Sequence, residues 1–463
     1  LQEFVLRKLA LFALVCLFAA TAPGLWEKSA LTRAFRPLSQ SARAASPPEM
    51  STPPTSSAPD AQPPADVTAY TLPPDKYAQA RGLARIGYVA GILIPLYSIL
   101  VVYLMLRWGW SAKFRDWAEA RTSQPFYQAG IYCAAFFTVY TLSRLPIRAW
   151  FHWLYVKNDL VVQGWASWLA DSGKQLMITM FVGTILVTAL FSTVRRSPRH
   201  WWIQFWLGML PFIVLIIFLT PLVIDPIFNK FEPLSEHDPQ LVSDLERVVS
   251  RGGLEIPPQR MFLMEASAKV NLVNAYVTGL GASKRVVVWD TTIAKMTRAE
   301  ISFVFGHEMG HYVLNHVYKG MIVTALGLLA GVILIAWISR QWIERNSAMG
   351  KIRGSGDLAT LPIYAILFLL LSFIATPISN AYSRYVEHQA DQYGLEVTHG
   401  LTPDSGQVAA DSFQILGEID LEDPAPTRWE ILWYWDHPWI GDRIQFALHY
   451  DPWANGGSGK FVK

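Results

Sequence analysis

The chain alternates between long apolar runs and polar breaks, with little of the short alternation that marks strands. Six runs, 86–106, 122–143, 175–194, 201–224, 321–339 and 359–383, contain no Asp, Glu, Lys or Arg. A helix needs about 20 residues to cross the hydrocarbon layer of a bilayer, so each run predicts a spanning helix. So many runs in one chain argue against core helices of a large soluble protein. Trp108, Trp110, Trp201, Trp202, Trp337 and Trp342 stand near the run ends, where amphipathic indoles favour the membrane interface. Pro95, Pro211, Pro221, Pro362 and Pro377 fall within the runs or near their ends. Spanning helices tolerate proline where neighbours or a water-lined cavity satisfy the freed carbonyls, so these positions point to helices around a cavity.

The same pattern divides the chain. Arg7 and Lys8 precede an apolar stretch at 9–20 and small residues at 20–22. Residues 1–26 therefore read as a signal peptide or as a seventh, anchoring span. Residues 27–80 hold a Pro/Ser-rich segment too poor in apolar side chains to fold by itself. Four spans are expected in 81–224, with a tryptophan-rich interfacial loop at 145–174, and two more in 321–383. Between them, 225–320 is polar enough to form a compact unit, which 384–463 would complete. The fold class expected is mainly α: a polytopic bundle or barrel of six to seven spans enclosing a catalytic part with a small β-sheet.

Within 225–320, Leu241, Leu245, Val248 and Val249 recur at helical spacing over 238–251, and Gly252–Gly253 stop that helix. "RMFLMEA" (260–266) and "KRVVVWD" (284–290) read as strands, with "NAYVTG" (274–279) as a third extended piece. Thr297 and Glu300 stand at capping-box positions, so a helix is expected from Arg298 past His316.

That helix carries "HEMGH". Four helical residues turn about 400°, which puts His307 and His311 on one face, one turn apart. Two imidazoles so placed can bind one zinc ion. Glu308 can then take the proton of a water activated there without being a ligand itself. A catalytic zinc needs a third protein ligand. A histidine at 317 with glycine at 314 would supply it on the same segment, but the chain has Val317 and Leu314, and His316 on the same helix points off the His307/His311 face. The better candidate is "SRYVEHQAD" (383–391), in which Glu387 and Asp391 share a helix face. Glu387 would be the ligand and Asp391 the partner of a zinc histidine. His388 is the rival ligand, and a surface ion pair with Arg384 is the structural alternative.

Composition narrows the function classes. The apolar share is 52%, the charged share 16% and the net charge +3, which gives no general attraction to nucleic acid. Cys16 and Cys133 form no CxxC pair, so a cysteine zinc site or a disulfide framework is not expected.

"VNAYVTG", "HEMGH", "SRYVEHQAD" and "HPWIGDRI", together with "FNKFEPL" (228–234), resemble in order and spacing the type 1 CAAX prenyl endopeptidases, gluzincin membrane metalloproteases. The resemblance runs over roughly residues 80–450. It implies one zinc per chain held by His307, His311 and Glu387, with Glu308 as base, inside a chamber walled by membrane helices. It also implies that Asn274, Ala275 and Tyr276 line the substrate path, and that His437 and Arg443 stabilise the oxyanion. The expected partners are the lipid bilayer and a peptide or C-terminally prenylated protein. The expected location is a cell inner membrane or an endomembrane.

Orientation divides the two lines of reasoning. Arginines and lysines crowd 107–121, 195–199 and 340–353, which alternate crossing puts on one side. The positive-inside rule then places the zinc side away from the cytosol, whereas the resemblance implies an opening toward it. The function expected is zinc-dependent hydrolysis of peptide bonds. Prenylated substrates and general membrane quality control are the two substrate readings, and a transporter with a structural metal is the remaining alternative.

Overall fold

The computed structural model describes residues 66–463 apart from 280–283, 347–348 and 455. The expected signal or anchor at 1–26 lies outside the described residues. Four long helices come first: α1 (Pro74–Arg107), the short α2 (Trp110–Arg121), then α3 (Pro125–Lys157), α4 (Trp165–Arg196) and α5 (Trp201–Leu219). After α5 a π-turn at Thr220–Ile224 leads to the sheet. The sheet segment holds β1 (Phe231–Pro233), α6 (Pro239–Arg251), β2 (Met261–Met264), β3 (Ala275–Thr278) and β4 (Arg285–Trp289). The rest is helical: α7 (Arg298–Val313), α8 (His316–Asn346), α9 (Leu361–Thr398), α10 (Ser405–Ile419), α11 (Arg428–Tyr434) and α12 (Ile440–His449).

Among the described residues, five helices are long and apolar enough to cross a membrane: Pro74–Arg107, Trp165–Arg196, Trp201–Phe228, His316–Arg345 and Leu358–Thr398. The run 122–143 lies in α3, a 33-residue helix outside these five. Tyrosines dilute its apolarity, and it packs inward, with Tyr132, Cys133, Phe136, Phe137 and Tyr140 fully buried. The expected interfacial loop at 145–174 is mostly helix. Arg144 and Arg148 end the apolar run in sequence, yet α3 continues, with Arg144 bonded one turn back on α3 itself and Arg148 bonded across to α4. Arg144 Nη1 donates to Tyr140 Oη at 3.1 Å and Arg148 Nη2 to Gln175 Oε1 at 3.0 Å. Helix α9 is the central span, with 67% of its most apolar window buried, against 17% for α8. Ile322, Leu326 and Trp337 on α8, and Leu93, Leu96 and Leu100 on α1, are exposed, an apolar outer surface suited to lipid.

The three basic segments meet at one end. Arg353 pairs with Asp116 at 2.9 Å and Glu119 at 2.8 Å on α2, Arg115 pairs with Asp357, and Arg195 Nε donates to Gly356 O at 2.8 Å. At 1.5 Å per residue, Glu387 lies roughly 40 Å along α9 from that end.

The sheet order is β1-β2-β4-β3, with β2 and β4 parallel and the other pairs antiparallel. All three expected extended pieces are strands. Helix α6 buries Leu241, Leu245, Val248 and Val249 in a core shared with α7 and the sheet. Asp238 caps its start by accepting from Leu241 N, and Gly253, at φ +67°, turns the chain away after its end. Thr297 and Glu300 form the expected capping box at the start of α7. That helix does not run past His316 as expected. It ends at Val313, Asn315 takes a left-handed φ of 57°, a conformation asparagine tolerates, and α8 starts afresh at His316.

Helices α7 and α9 pack glycine to glycine. A Cβ on Gly394 would stand 3.0 Å from the backbone nitrogen of His307 and 3.1 Å from Phe303, and one on Gly306 would stand 2.8 Å from Val397. Gly394→Val must therefore push two backbones apart. A loss of about 1–3 kcal/mol is expected, read as a lower thermal midpoint in detergent together with loss of bound metal. An unchanged midpoint and metal content would show that the helices do not need this approach.

Candidate metal centre

The α7–α9 contact sets His307 and His311 opposite Glu387 and Asp391. His307 Nε2 lies 3.3 Å from His311 Nε2 and 3.2 Å from Glu387 Oε2, and His311 Nε2 lies 3.8 Å from Glu387 Oε2. These three residues are buried and form a group able to hold a metal ion. The donor set fits one. Two ligands about 2.0–2.1 Å from a tetrahedral ion stand about 3.3 Å apart, the spacing found here. Glu387 is only 1% exposed, and the groups that face its Oε2 are imidazole nitrogens, His437 Nε2 at 2.9 Å and His307 Nε2 at 3.2 Å. A buried carboxylate has to be paired with positive charge or hold a metal.

The histidines are held from behind. His307 Nδ1 faces Asp391 Oδ1 at 2.7 Å, and Arg443 grips Asp391 with two bonds, Nη2 to Oδ1 at 2.6 Å and Nε to Oδ2 at 2.9 Å. Asp391 is where the sequence reading put it. Arg443, expected at the oxyanion, lines the same cavity as His307 and Glu308 and pairs there with Asp391. Burial disfavours charge on His307, yet hydrogen bonds and charge from Asp391 and Glu387 outweigh it, and the pKa is pushed up to about 9. Burial holds the His311 imidazole well below the ordinary histidine range despite Glu387, so it is neutral, the form a metal binds.

His437 comes close to the centre. Its Nε2 stands 2.9 Å from Glu387 Oε2 and its Nδ1 2.9 Å from Asp436 Oδ1. With Glu308 and His307 it lines a cavity of about 240 Å³. Asn274 lines the same cavity. Its backbone is fixed on Thr292, which donates to its carbonyl at 2.7 Å and accepts from its nitrogen at 2.6 Å. Ala275 and Tyr276 are buried in the edge strand β3 and stay off the cavity wall, because their side chains pack into the two cores either side of the sheet. The rival ligand His388 is exposed, its ring 4.4 Å from that of Phe446. Arg384 donates to the carbonyl of Ile431 at 3.0 Å.

Sequence reasoning missed His316. It was placed on the α7 helix and turned away; it sits instead on α8, fully buried, with its Nδ1 3.2 Å from His311 Nδ1. Gln389, which meets its other nitrogen, was also missed. Thr292 and Asp436 carried no spacing signal. His316, five residues after the second motif histidine, was visible as a residue but not as a neighbour.

A membrane-embedded helical bundle with a buried His-His-Glu group, a glutamate beside it and an internal cavity defines a membrane metalloendopeptidase. Residues 235–451 match peptidase family M48, and residues 57–230 match the CAAX prenyl protease N-terminal part, described as five membrane helices. The chain belongs to peptidase family M48 and is an integral, multi-pass membrane protein. It is 34% identical over 377 residues to the uncharacterized metalloprotease YhfN of Bacillus subtilis, covering 81% of this chain and 86% of that protein. It is 30% identical over 279 residues to CAAX prenyl protease 1 of Saccharomyces cerevisiae, covering 56% and 59% of the two chains. The crystal structure of S. mikatae Ste24p shares the fold, with a TM-score of 0.71 and 21% identity over 82% of this chain and 90% of that one.

The raised His307 pKa has a consequence for metal binding. Below about pH 9 the metal-free site carries a proton on the nitrogen that a metal must use, so binding has to expel it. Affinity for zinc should rise with pH up to about 9, with about one proton released per ion, measured by calorimetry in buffers of different ionisation enthalpy. Affinity that is flat from about pH 6 to 8 would contradict this.

Proposed function

We propose that this chain is a zinc endopeptidase with one zinc per chain, held by His307, His311 and Glu387, and that it cuts extended peptide segments reaching the site from the membrane. The observation that carries the reading is the convergence of those three donors at the edge of a cavity whose wall holds His307 and Glu308. Neutral imidazoles and a carboxylate suit zinc. Bound there, the metal supplies Lewis-acid activation of water and of the scissile carbonyl.

The chain's own residues do the rest. Glu308, beside His307 on the cavity wall, takes the proton from the attacking water and passes it to the leaving nitrogen. Asp391, gripped by Arg443, keeps the His307 proton on Nδ1 and leaves Nε2 facing the site. His437, with Asp436 at one nitrogen, offers the other where negative charge develops on the carbonyl oxygen. The Asn274 side chain, at the start of an edge strand, holds the substrate backbone.

C-terminally prenylated proteins are the favoured substrates. The named yeast relative supports this, as does the apolar arm of the cavity beside α1, lined by Leu83, Gly87, Gly91, Ile94, Phe151 and Leu160. A second reading, quality control of unprenylated membrane proteins, draws on the basic end of the bundle. Arg115, Arg195 and Arg353 gather far from the site, and the positive-inside rule then turns the site away from the cytosol, where prenylated proteins reside.

Purified protein incubated with matched prenylated and unprenylated peptides separates the readings. Cleavage of the prenylated peptide alone supports the first, equal cleavage the second, and no cleavage of either contradicts both. Glu308→Gln should keep zinc and lose nearly all turnover, because an amide cannot accept the proton; cleavage near the wild-type rate would contradict the mechanism. Asn274→Ala should lower kcat/KM by roughly ten- to a hundredfold at unchanged zinc content, the effect of one or two lost hydrogen bonds.

A further inference from the structure

The break at Asn315 does more than end α7. It starts α8 with His316 directly behind His311. His316 Nδ1 lies 3.2 Å from His311 Nδ1, and His316 Nε2 lies 3.0 Å from Gln389 Oε1 on α9. Gln389 Nε2 in turn donates to Tyr385 Oη at 3.1 Å, and Tyr385 is exposed. A line of polar groups thus runs from the metal centre to the surface, separate from the Asp391–Arg443 pair behind His307.

The protons in this line are fixed by one another. His311 turns Nε2 toward His307 and Glu387. For Nε2 to offer a lone pair there, the ring's single proton must sit on Nδ1. That proton points at His316 Nδ1, which must accept it. His316 then carries its own proton on Nε2 and donates it to the Gln389 carbonyl, while the Gln389 amide donates to Tyr385. With the amide turned round, its NH₂ would face His316 Nε2 and every proton would move one place. His311 would then present N–H, not a lone pair, to the metal.

We infer that His316 and Gln389 are positioning residues that set the tautomer and ring orientation of His311 for metal binding, an uncharged counterpart to the Asp391–Arg443 support of His307. The inference rests on the metal reading of the site. His316 is not a further ligand, because its ring lies on the far side of His311 from Glu387. The carbonyl of Gln389 is the element that matters, since it must accept.

The test uses the full chain in detergent, with zinc affinity measured by competition with a chromophoric chelator. His316→Phe and Gln389→Leu should each weaken zinc binding by about ten- to a hundredfold, the usual effect of losing a group that supports a metal histidine. Gln389→Glu, which keeps an acceptor, should stay within about threefold of wild type. The absorption of the cobalt(II)-loaded protein should be perturbed in the first two variants and preserved in the third. Equal affinities for the Leu and Glu variants would overturn the relay, as would a folded His316→Phe that binds zinc like the wild type. Gln389 is only half-buried, so its two variants decide the matter even where His316→Phe does not fold. Wild-type protein that binds no zinc would overturn the metal centre and the relay together, whereas zinc bound equally by all variants overturns the relay alone.

Discussion

The centre depends on the closeness of two helix backbones. α7 supplies histidines four residues apart and α9 supplies Glu387 and Asp391 four residues apart, and each pair occupies one face of its helix. The pairs meet because Gly306, Gly310 and Gly394 remove side chains at the contact, so that Val397 and Tyr393 of α9 pack directly on the α7 backbone at Gly306 and Gly310. Two ordinary helices pack about 8–10 Å apart, with side chains filling the gap. Here a single Cβ at Gly394 would press on the backbone of His307. Since α9 is also the most buried span, Glu387, the proposed third metal donor, is carried on a membrane helix, and the site is tied to the membrane bundle by one continuous rod.

Bringing so many charges out of water is costly unless each finds a partner, and the arrangement answers them one by one. Arg443 neutralises Asp391 with a bidentate pair. His316 and Gln389 support His311 without any added charge. Glu387 is faced by imidazoles alone, which is the environment a cation completes. At the remote end of the bundle, buried Arg115 and Asp357 answer each other in the same way.

How much of this was legible in sequence depended on the range of the interaction. The motif helix, its capping box and the three strands were readable because spacing and local chemistry define them. That Glu387 and Asp391 share one helix face was readable from their i, i+4 spacing. The limits of α3 were not. Arg144 and Arg148 look like the end of a span until Tyr140 on the same helix and Gln175 on α4 are seen to receive them. His316 was misread because one left-handed residue, Asn315, redirects the chain, and periodicity cannot register a single-residue break. The pairing of Arg443 with Asp391 was not legible, because nothing in its own segment reveals that Asp391, 52 residues earlier, lies within reach.

The central claim is that the α7–α9 crossing builds one metal centre whose third ligand is Glu387. Metal analysis of the purified full chain and of Glu387→Ala tests it most directly. The account predicts one zinc per wild-type chain and little or none in the variant, with the fold retained by circular dichroism. A Glu387→Ala protein that keeps its full zinc would contradict it, and would move the third ligand to another residue such as His437.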